Sequence, residues 1–211
     1  MPAAATSPAT NPLLPERVTS HPVLLRWFVS GDAPRVQALA ADAAVVASTA
    51  AIPHPYPDGA AEAWIAGQPA ARDRGAEFVY AICSVDGATL LGAIALRPTA
   101  GDGPGRENIG YWIGRAYWGH GYATAATMAI VALAFGYLDC ETLTASHLER
   151  NAASARVLEK CGFVPLRTIV RDHRGHPETL VVRGITRDTW EASLGGPVGA
   201  GMPAEESLGD G

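Results

Sequence analysis

The sequence predicts one domain of mixed α/β class, with a central mixed sheet of about six to seven strands flanked by about four helices. Three observations lead there. Short runs rich in β-branched and aromatic residues recur along the chain, some joined by turn signals and others separated by helical patterns. The segment Tyr122–Leu138 is apolar almost all round, the pattern of a helix buried against a sheet. At 211 residues, with 48% hydrophobic and 18% charged side chains, the chain fills one substantial core and is short for two.

Taken in order, Val23–Phe28 reads as a strand and Asp32 as the N-cap of a helix with Pro34 in its first turn. Prolines 53, 55 and 57 remove backbone donors and fix φ, so Pro53-His54-Pro55-Tyr56-Pro57 is irregular, and Asp58 then caps a short helix through Trp64. Phe78–Cys83 and Thr89–Leu96 are apolar runs around Val85-Asp86-Gly87-Ala88, a hairpin signal. A glycine-rich loop, Ala100–Gly105, leads into the aromatic strand Ile109–Ile113. After the long helix come a short strand at Thr142–Ala145 and a helix over Ala152–Cys161, ended by Gly162 as its left-handed C-cap. Val164–Val170 and Thr179–Ile185 close the domain, joined by a polar loop at Arg174-Gly175. Residues 1–16 and 192–211 bury too little apolar surface to offset their ordering entropy and are expected to be loose, leaving a domain over 17–191.

Composition excludes several classes. A net charge of −5 argues against a nucleic-acid partner. No apolar run reaches the roughly 18 uncharged residues of a membrane span, and Met1–Asn11 lacks the pattern of a signal peptide, so a cytoplasmic location is expected. Cys83, Cys140 and Cys161 lie far apart with no C-x-x-C pair, which suits buried free thiols and neither a disulfide framework nor a metal site.

Two segments carry chemistry. Gly114-Arg115-Ala116-Tyr117-Trp118-Gly119-His120-Gly121-Tyr122-Ala123-Thr124 follows a strand and feeds the long helix. Glycines permit a tight turn, and the first helical N–H groups lack partners, so a phosphate or pyrophosphate is the natural guest; a simple capping turn is the alternative. A dinucleotide fingerprint fails, because Thr124 stands where Gly or Ala is required and no acid ends the next strand. Downstream, Asn151 is a good N-cap, and Ser154 shares an inward stripe with Val157, Leu158 and Cys161, opposite Arg156 and Glu159. Ser154 either bonds a carbonyl one turn back or meets a ligand, and Glu159 is expected in solvent.

Together with Ile109-Gly110-Tyr111-Trp112-Ile113, Glu159-Lys160-Cys161-Gly162-Phe163, Pro53-His54-Pro55-Tyr56 and Trp64, these segments resemble the GNAT superfamily of N-acetyltransferases, in particular its RimJ/RimL-type branch of ribosomal-protein alanine N-acetyltransferases. The resemblance spans about residues 17–190. It implies a splayed sheet and acetyl-CoA as co-substrate, with the pyrophosphate on Trp118-Gly119-His120-Gly121-Tyr122-Ala123-Thr124. It also implies pantetheine against the backbone of Trp112 and Ile113, Asn151 bonding the pantetheine arm, and Ser154 near the sulfur. His54 and Tyr56 would line the acceptor pocket. The loop departs from the family pattern at Trp118, where Gln or Arg is usual, and the helix after Asn151 lacks the family's tyrosine, leaving Ser154 or water to deliver a proton.

The chemistry expected is direct attack of a neutral primary amine, from a protein N-terminus or a small molecule, on the thioester, with the oxyanion held by Ile113 N–H and a thiolate of pKa around 8.5 departing. Glu107, acting directly or through water, is the first candidate for general base, with His120 and His54 behind it. His147 has no settled direction, and His21, His173 and His176 are expected exposed. A non-catalytic acyl-CoA-binding module is the alternative. A homodimer is compatible with the sequence, and no metal is required.

Overall fold

The computed structural model describes residues 14–49, 52–98, 106–138, 140–173 and 175–194. The loop residues 100–105, Arg174 and both expected loose ends beyond residues 14 and 194 fall outside that set. Among the described residues eight strands run in chain order as β1 (Arg17–Ser20), β2 (Val23–Trp27), β3 (Phe78–Ser84), β4 (Leu90–Pro98), β5 (Arg106–Ile113), β6 (Thr142–Leu148), β7 (Val164–His173) and β8 (His176–Thr186). They form one sheet in the order β1-β2-β3-β4-β5-β6-β8-β7, every pair antiparallel except β5 with β6. Among the described residues there are six α-helices: α1 (Ala33–Ala40), α2 (Ala43–Ser48), α3 (Ala60–Asp73), α4 (Tyr122–Tyr137), α5 (Ala152–Lys160) and α6 (Arg187–Leu194).

Strand alternation divides the core between the two faces of the sheet. Leu25, Tyr80, Ile94, Ile109 and Leu143 meet α4 and Leu158 of α5 on one face. Leu24, Ala81 and Cys83 meet Val36 of α1 and Ile65 of α3 on the other. A side chain's position along its strand therefore decides which ligand arm it can reach.

One break in the sheet creates the site. β5 and β6 pair only from Arg106 opposite Thr142 to Ile109 opposite Ala145. Beyond that, β5 stays with β4 as far as Ile113 opposite Gly92, and β6 stays with β8 as far as Leu148 opposite Leu180. The two strands diverge because each follows its outer neighbour, and a V opens between Gly110–Ile113 and Ser146–Leu148.

The sequence reading needs four corrections. β1, α2 and α6 are additional elements, the last reaching Leu194. α3 is more than twice the expected length and is capped by Gly59 at φ +75° instead of Asp58. Asp32 stands at the N-cap of α1 but its carboxylate pairs with Arg26 (2.8 Å) and accepts Val29 N–H (2.9 Å), being drawn to a half-buried cation in place of helix amides. α4 is apolar on all sides, yet Met128, Ala132 and Gly136 form an exposed stripe.

Candidate functional site

The loop before α4 is built by its glycines and its tryptophan. Gly119 and Gly121 have φ of +82° and +80°, and a Cβ at either would meet nothing within 4 Å, so glycine is required there by backbone conformation alone. Trp118 donates its indole N–H to the Ile113 carbonyl at 2.7 Å, tying the loop to the end of β5. The departure from Gln or Arg at this position thus has a structural use. Gly121 starts α4 with no side-chain cap, and the Gly121 carbonyl is first reached by Ala125 N–H at 3.0 Å. The N–H groups of Tyr122, Ala123 and Thr124 precede that bond, and these three residues line a cavity of about 830 Å³. His120 is exposed beside the loop and stacks on Tyr122 with ring centroids 5.6 Å apart.

The cavity continues into the V. Gly114 N–H bonds the Leu91 carbonyl at 2.8 Å, so by the alternation of an antiparallel ladder Trp112 turns its backbone groups to β4, while Tyr111 and Ile113 turn theirs to the opened side. Of the two residues expected to offer backbone to a pantetheine, Ile113 faces the opening and Trp112 does not. The Trp112 carbonyl instead packs so tightly on β4 that a Cβ on Gly92 would stand 2.1 Å from it.

Ser154 enters the V from α5, half-buried, and its Oγ lies 2.9 Å from Tyr111 Oη. Burial pushes the Tyr111 phenol up to about 12, the Ser154 bond pulling the other way. Sequence reasoning missed Tyr111 as a partner, although its two-residue offset from Ile109 and Ile113 placed it on the α5 face; the contact with Ser154 is non-local. Asn151 holds the start of α5 in place: Oδ1 accepts Ser154 N–H at 3.0 Å and Nδ2 donates to the Ser48 carbonyl of α2 at 3.1 Å.

His147 is buried at the splayed end of β6. Its Nδ1 lies 2.9 Å from the Leu148 carbonyl and therefore carries the proton, leaving Nε2 to accept Arg183 Nε–H at 3.2 Å. Arg183 also donates to the Phe163 carbonyl at 3.2 Å and pairs with Glu159 at 2.7 Å. Glu159, expected in solvent, is half-exposed and serves as the counter-ion of a buried guanidinium. With both ring nitrogens engaged, His147 supports the strand and is no free base.

On the opposite face the cavity widens into a trough over β3, β4 and β5, floored by Val79, Ala95 and Gly110 and bounded by Trp112, Trp64 and Ile52. Glu107 lies in β5 opposite Leu143, in the closed part of the ladder, six residues or about 20 Å of strand from Ile113. His54 is exposed and Tyr56 packs beside α1 and α3; among the described residues neither lines the cavity. Every described charged side chain that does is a cation: Arg97, Arg150, Arg156 and Lys160.

Burial raises the thiols of Cys83 and Cys161, the latter to about 12, so neither is poised as a thiolate. Among the described residues no three His, Cys, Asp or Glu side chains cluster as a metal site, and no helix is long and apolar enough to cross a membrane.

The fold occurs in known acetyltransferases. RimL, a ribosomal L7/L12 α-N-protein acetyltransferase solved with coenzyme A, superposes with a TM-score of 0.73 at 16% identity, covering 82% of this chain and 99% of that one. The microcin C7 self-immunity acetyltransferase MccE, solved with acetyl-CoA and AMP, gives 0.68 at 14% identity over 79% and 93%. At such identities the likeness establishes fold alone. In sequence, the probable N-acetyltransferase YjcK of Bacillus subtilis (strain 168) is 32% identical over 87 residues, 41% of this chain and 48% of that protein, so the match spans about half of that relative. The family model for the acetyltransferase (GNAT) domain matches residues 23–164. The chain therefore belongs to the acetyltransferase (GNAT) domain family.

Proposed function

We propose that the protein transfers the acetyl group of acetyl-CoA to a primary amine by direct attack in a ternary complex. The observation that carries this reading is the single cavity running from the unpaired amides of α4, through the V between β5 and β6, to the trough on the other face. Its two arms meet where one co-substrate can hand a group to the other. The amides of Tyr122, Ala123 and Thr124 and the positive end of α4 suit a pyrophosphate, and Arg156 and Lys160 add cationic charge to the same wall.

The thioester supplies an activated acetyl carbonyl and a leaving group of thiol pKa around 8.5. Ile113 N–H is the donor for the carbonyl oxygen as negative charge develops. Ser154 Oγ is the proton donor to the departing sulfur; the Tyr111 hydroxyl, neutral throughout the physiological range, passes a proton to Ser154 and regains one from water, so the proton lost by the amine is balanced by the one the thiolate gains. The incoming ammonium loses its proton to water, because no carboxylate lines the cavity among the described residues. Glu107 is left out of this scheme, being about 20 Å of strand from Ile113.

The decisive experiment replaces Gly121, whose φ of +80° a β-branched residue does not tolerate. In Gly121→Val the amides turn away, and coenzyme A binding measured by calorimetry should fall at least tenfold while the circular dichroism spectrum is retained. Wild-type affinity in a folded Gly121→Val protein would place the coenzyme elsewhere and defeat the reading.

A further inference from the structure

The trough on the α3 side is shaped and charged more narrowly than an opening for any amine requires. Cross-strand partners form three rows on this face: Ala81, Ala93 and Trp112; then Val79, Ala95 and Gly110; then Arg97 and Asn108. The middle row loses bulk toward β5, where Ala95 faces a residue with no side chain at all. Trp64 of α3 and Trp112 pack against Val79, Ala93 and Ala95, so a shallow apolar slot runs between two indoles over small residues. Arg97 closes the slot. Its Nη2 is paired with Glu77, which orients the guanidinium. Its Nη1 reaches over Gly110, 3.1 Å from where a Cβ at that position would stand. The space Gly110 leaves open is thus overlooked by a guanidinium edge. From Ile113, where the carbonyl oxygen is held in the proposed mechanism, to Gly110 is three residues, about 10 Å of strand.

The geometry points to a specific acceptor class: a small primary amine that carries a carboxylate at its opposite end, with a flat apolar body between the two. The inference rests on the acetyl-transfer reading and specifies its second substrate. The amine lies at the Ile113 end, the flat body on Ala93 and Ala95 against Trp64 and Trp112, and the carboxylate on Arg97 above Gly110. The absence of any acid from the cavity wall, among the described residues, disfavours a polyamine, whose second charge would face Arg97. A protein N-terminus would have to pass its chain under Trp64 and past the same guanidinium.

The test compares acceptors and variants of the full chain. With acetyl-CoA, kcat/KM for 4-(aminomethyl)benzoate should exceed that for benzylamine, which lacks the anion, by tenfold or more. It should likewise exceed that for L-phenylalanine, whose amine and carboxylate share one carbon, for spermidine, and for peptides beginning with Ala or Ser. In Arg97→Gln the ratio between the first two should collapse toward one, with coenzyme A affinity retained. In Gly110→Val, which fills the slot and displaces only the flexible end of Arg97, binding of 4-(aminomethyl)benzoate to the protein–CoA complex, read by tryptophan fluorescence, should be lost. Equal rates with benzylamine, a ratio that survives Arg97→Gln, or better turnover of peptides or spermidine would each overturn the proposal. So would failure of 4-(aminomethyl)benzoate to perturb fluorescence at millimolar concentration. Coenzyme A binding, measured separately, tells whether the acceptor assignment alone has failed or the acetyl-transfer reading with it.

Discussion

A serine is a weak acid, and Ser154 suits proton delivery only because of what surrounds it. Its hydroxyl is fixed from two sides: α5 is anchored at Asn151, and Tyr111 Oη lies 2.9 Å away across the V. Removing the hydroxyl leaves the coenzyme's contacts with α4 untouched, so Ser154→Ala should lower kcat by about ten- to a hundredfold while the affinity for coenzyme A changes less than about threefold. Tyr111→Phe should lower kcat in the same direction by a smaller factor, since water can replace its hydroxyl. Equal kcat in Ser154→Ala, measured under saturating acetyl-CoA, would remove the serine from the chemistry. A different residue-scale pair serves stability. Burial raises the Asp32 carboxyl, but the Arg26 bond and Val29 N–H outweigh it and hold the group below its ordinary range. Its contribution is therefore present above the usual aspartate pKa and lost as pH falls through the lowered value. Asp32→Ala, which takes the carboxylate from a half-buried guanidinium, should cost about 1–3 kcal/mol in urea unfolding at pH 7, with the penalty shrinking below about pH 4.

At the scale of elements, α4 links binding to stability through its two ends. Its N-terminus offers bare amides; its C-terminus is closed by Arg187, whose guanidinium donates to the carbonyls of Phe135 (2.6 Å), Leu138 (3.2 Å) and Cys140 (2.9 Å). Cationic capping of that kind suggests that Arg187→Ala costs about 2 kcal/mol, lowering Tm by roughly 4–8 °C, while coenzyme A affinity is retained because dipole effects die out within a turn. A coenzyme affinity that fell with Tm would mean that the two ends are coupled. The same helix illustrates what the sequence made legible. Its apolar pattern and the glycines before it announced a buried helix with a free N-terminus, and the Asn151–Ser154 spacing announced a capped helix with an inward hydroxyl. Both are local signals. α2, a six-residue helix, and β1, a four-residue edge strand, carry too few periods to register. Arg183 with His147 and Glu159, and Arg97 over Gly110, join residues from 13 to 36 positions apart, and only the register of the sheet and the packing of α5 bring them together.

At the scale of the whole molecule, charge is distributed against its sum. The chain carries −5 overall, yet every described charged residue on the cavity wall is a cation. This sorting has a consequence for proton flow. Among the described residues, an ammonium entering the trough meets no carboxylate on the cavity wall, and His147 has both nitrogens engaged. The reactive free amine must then come from solution or through water, and its abundance is set by the acceptor's own pKa. Below that pKa, kcat/KM should rise about tenfold per pH unit and level off where the acceptor is half ionised. Substituting an acceptor of the same shape with a less basic amine should move the break downward by the difference in the two pKa values. If a side chain of the protein were the base, the break would remain at one pH for both acceptors; pH–rate profiles on two such amines therefore separate a solvent route from an enzymic one.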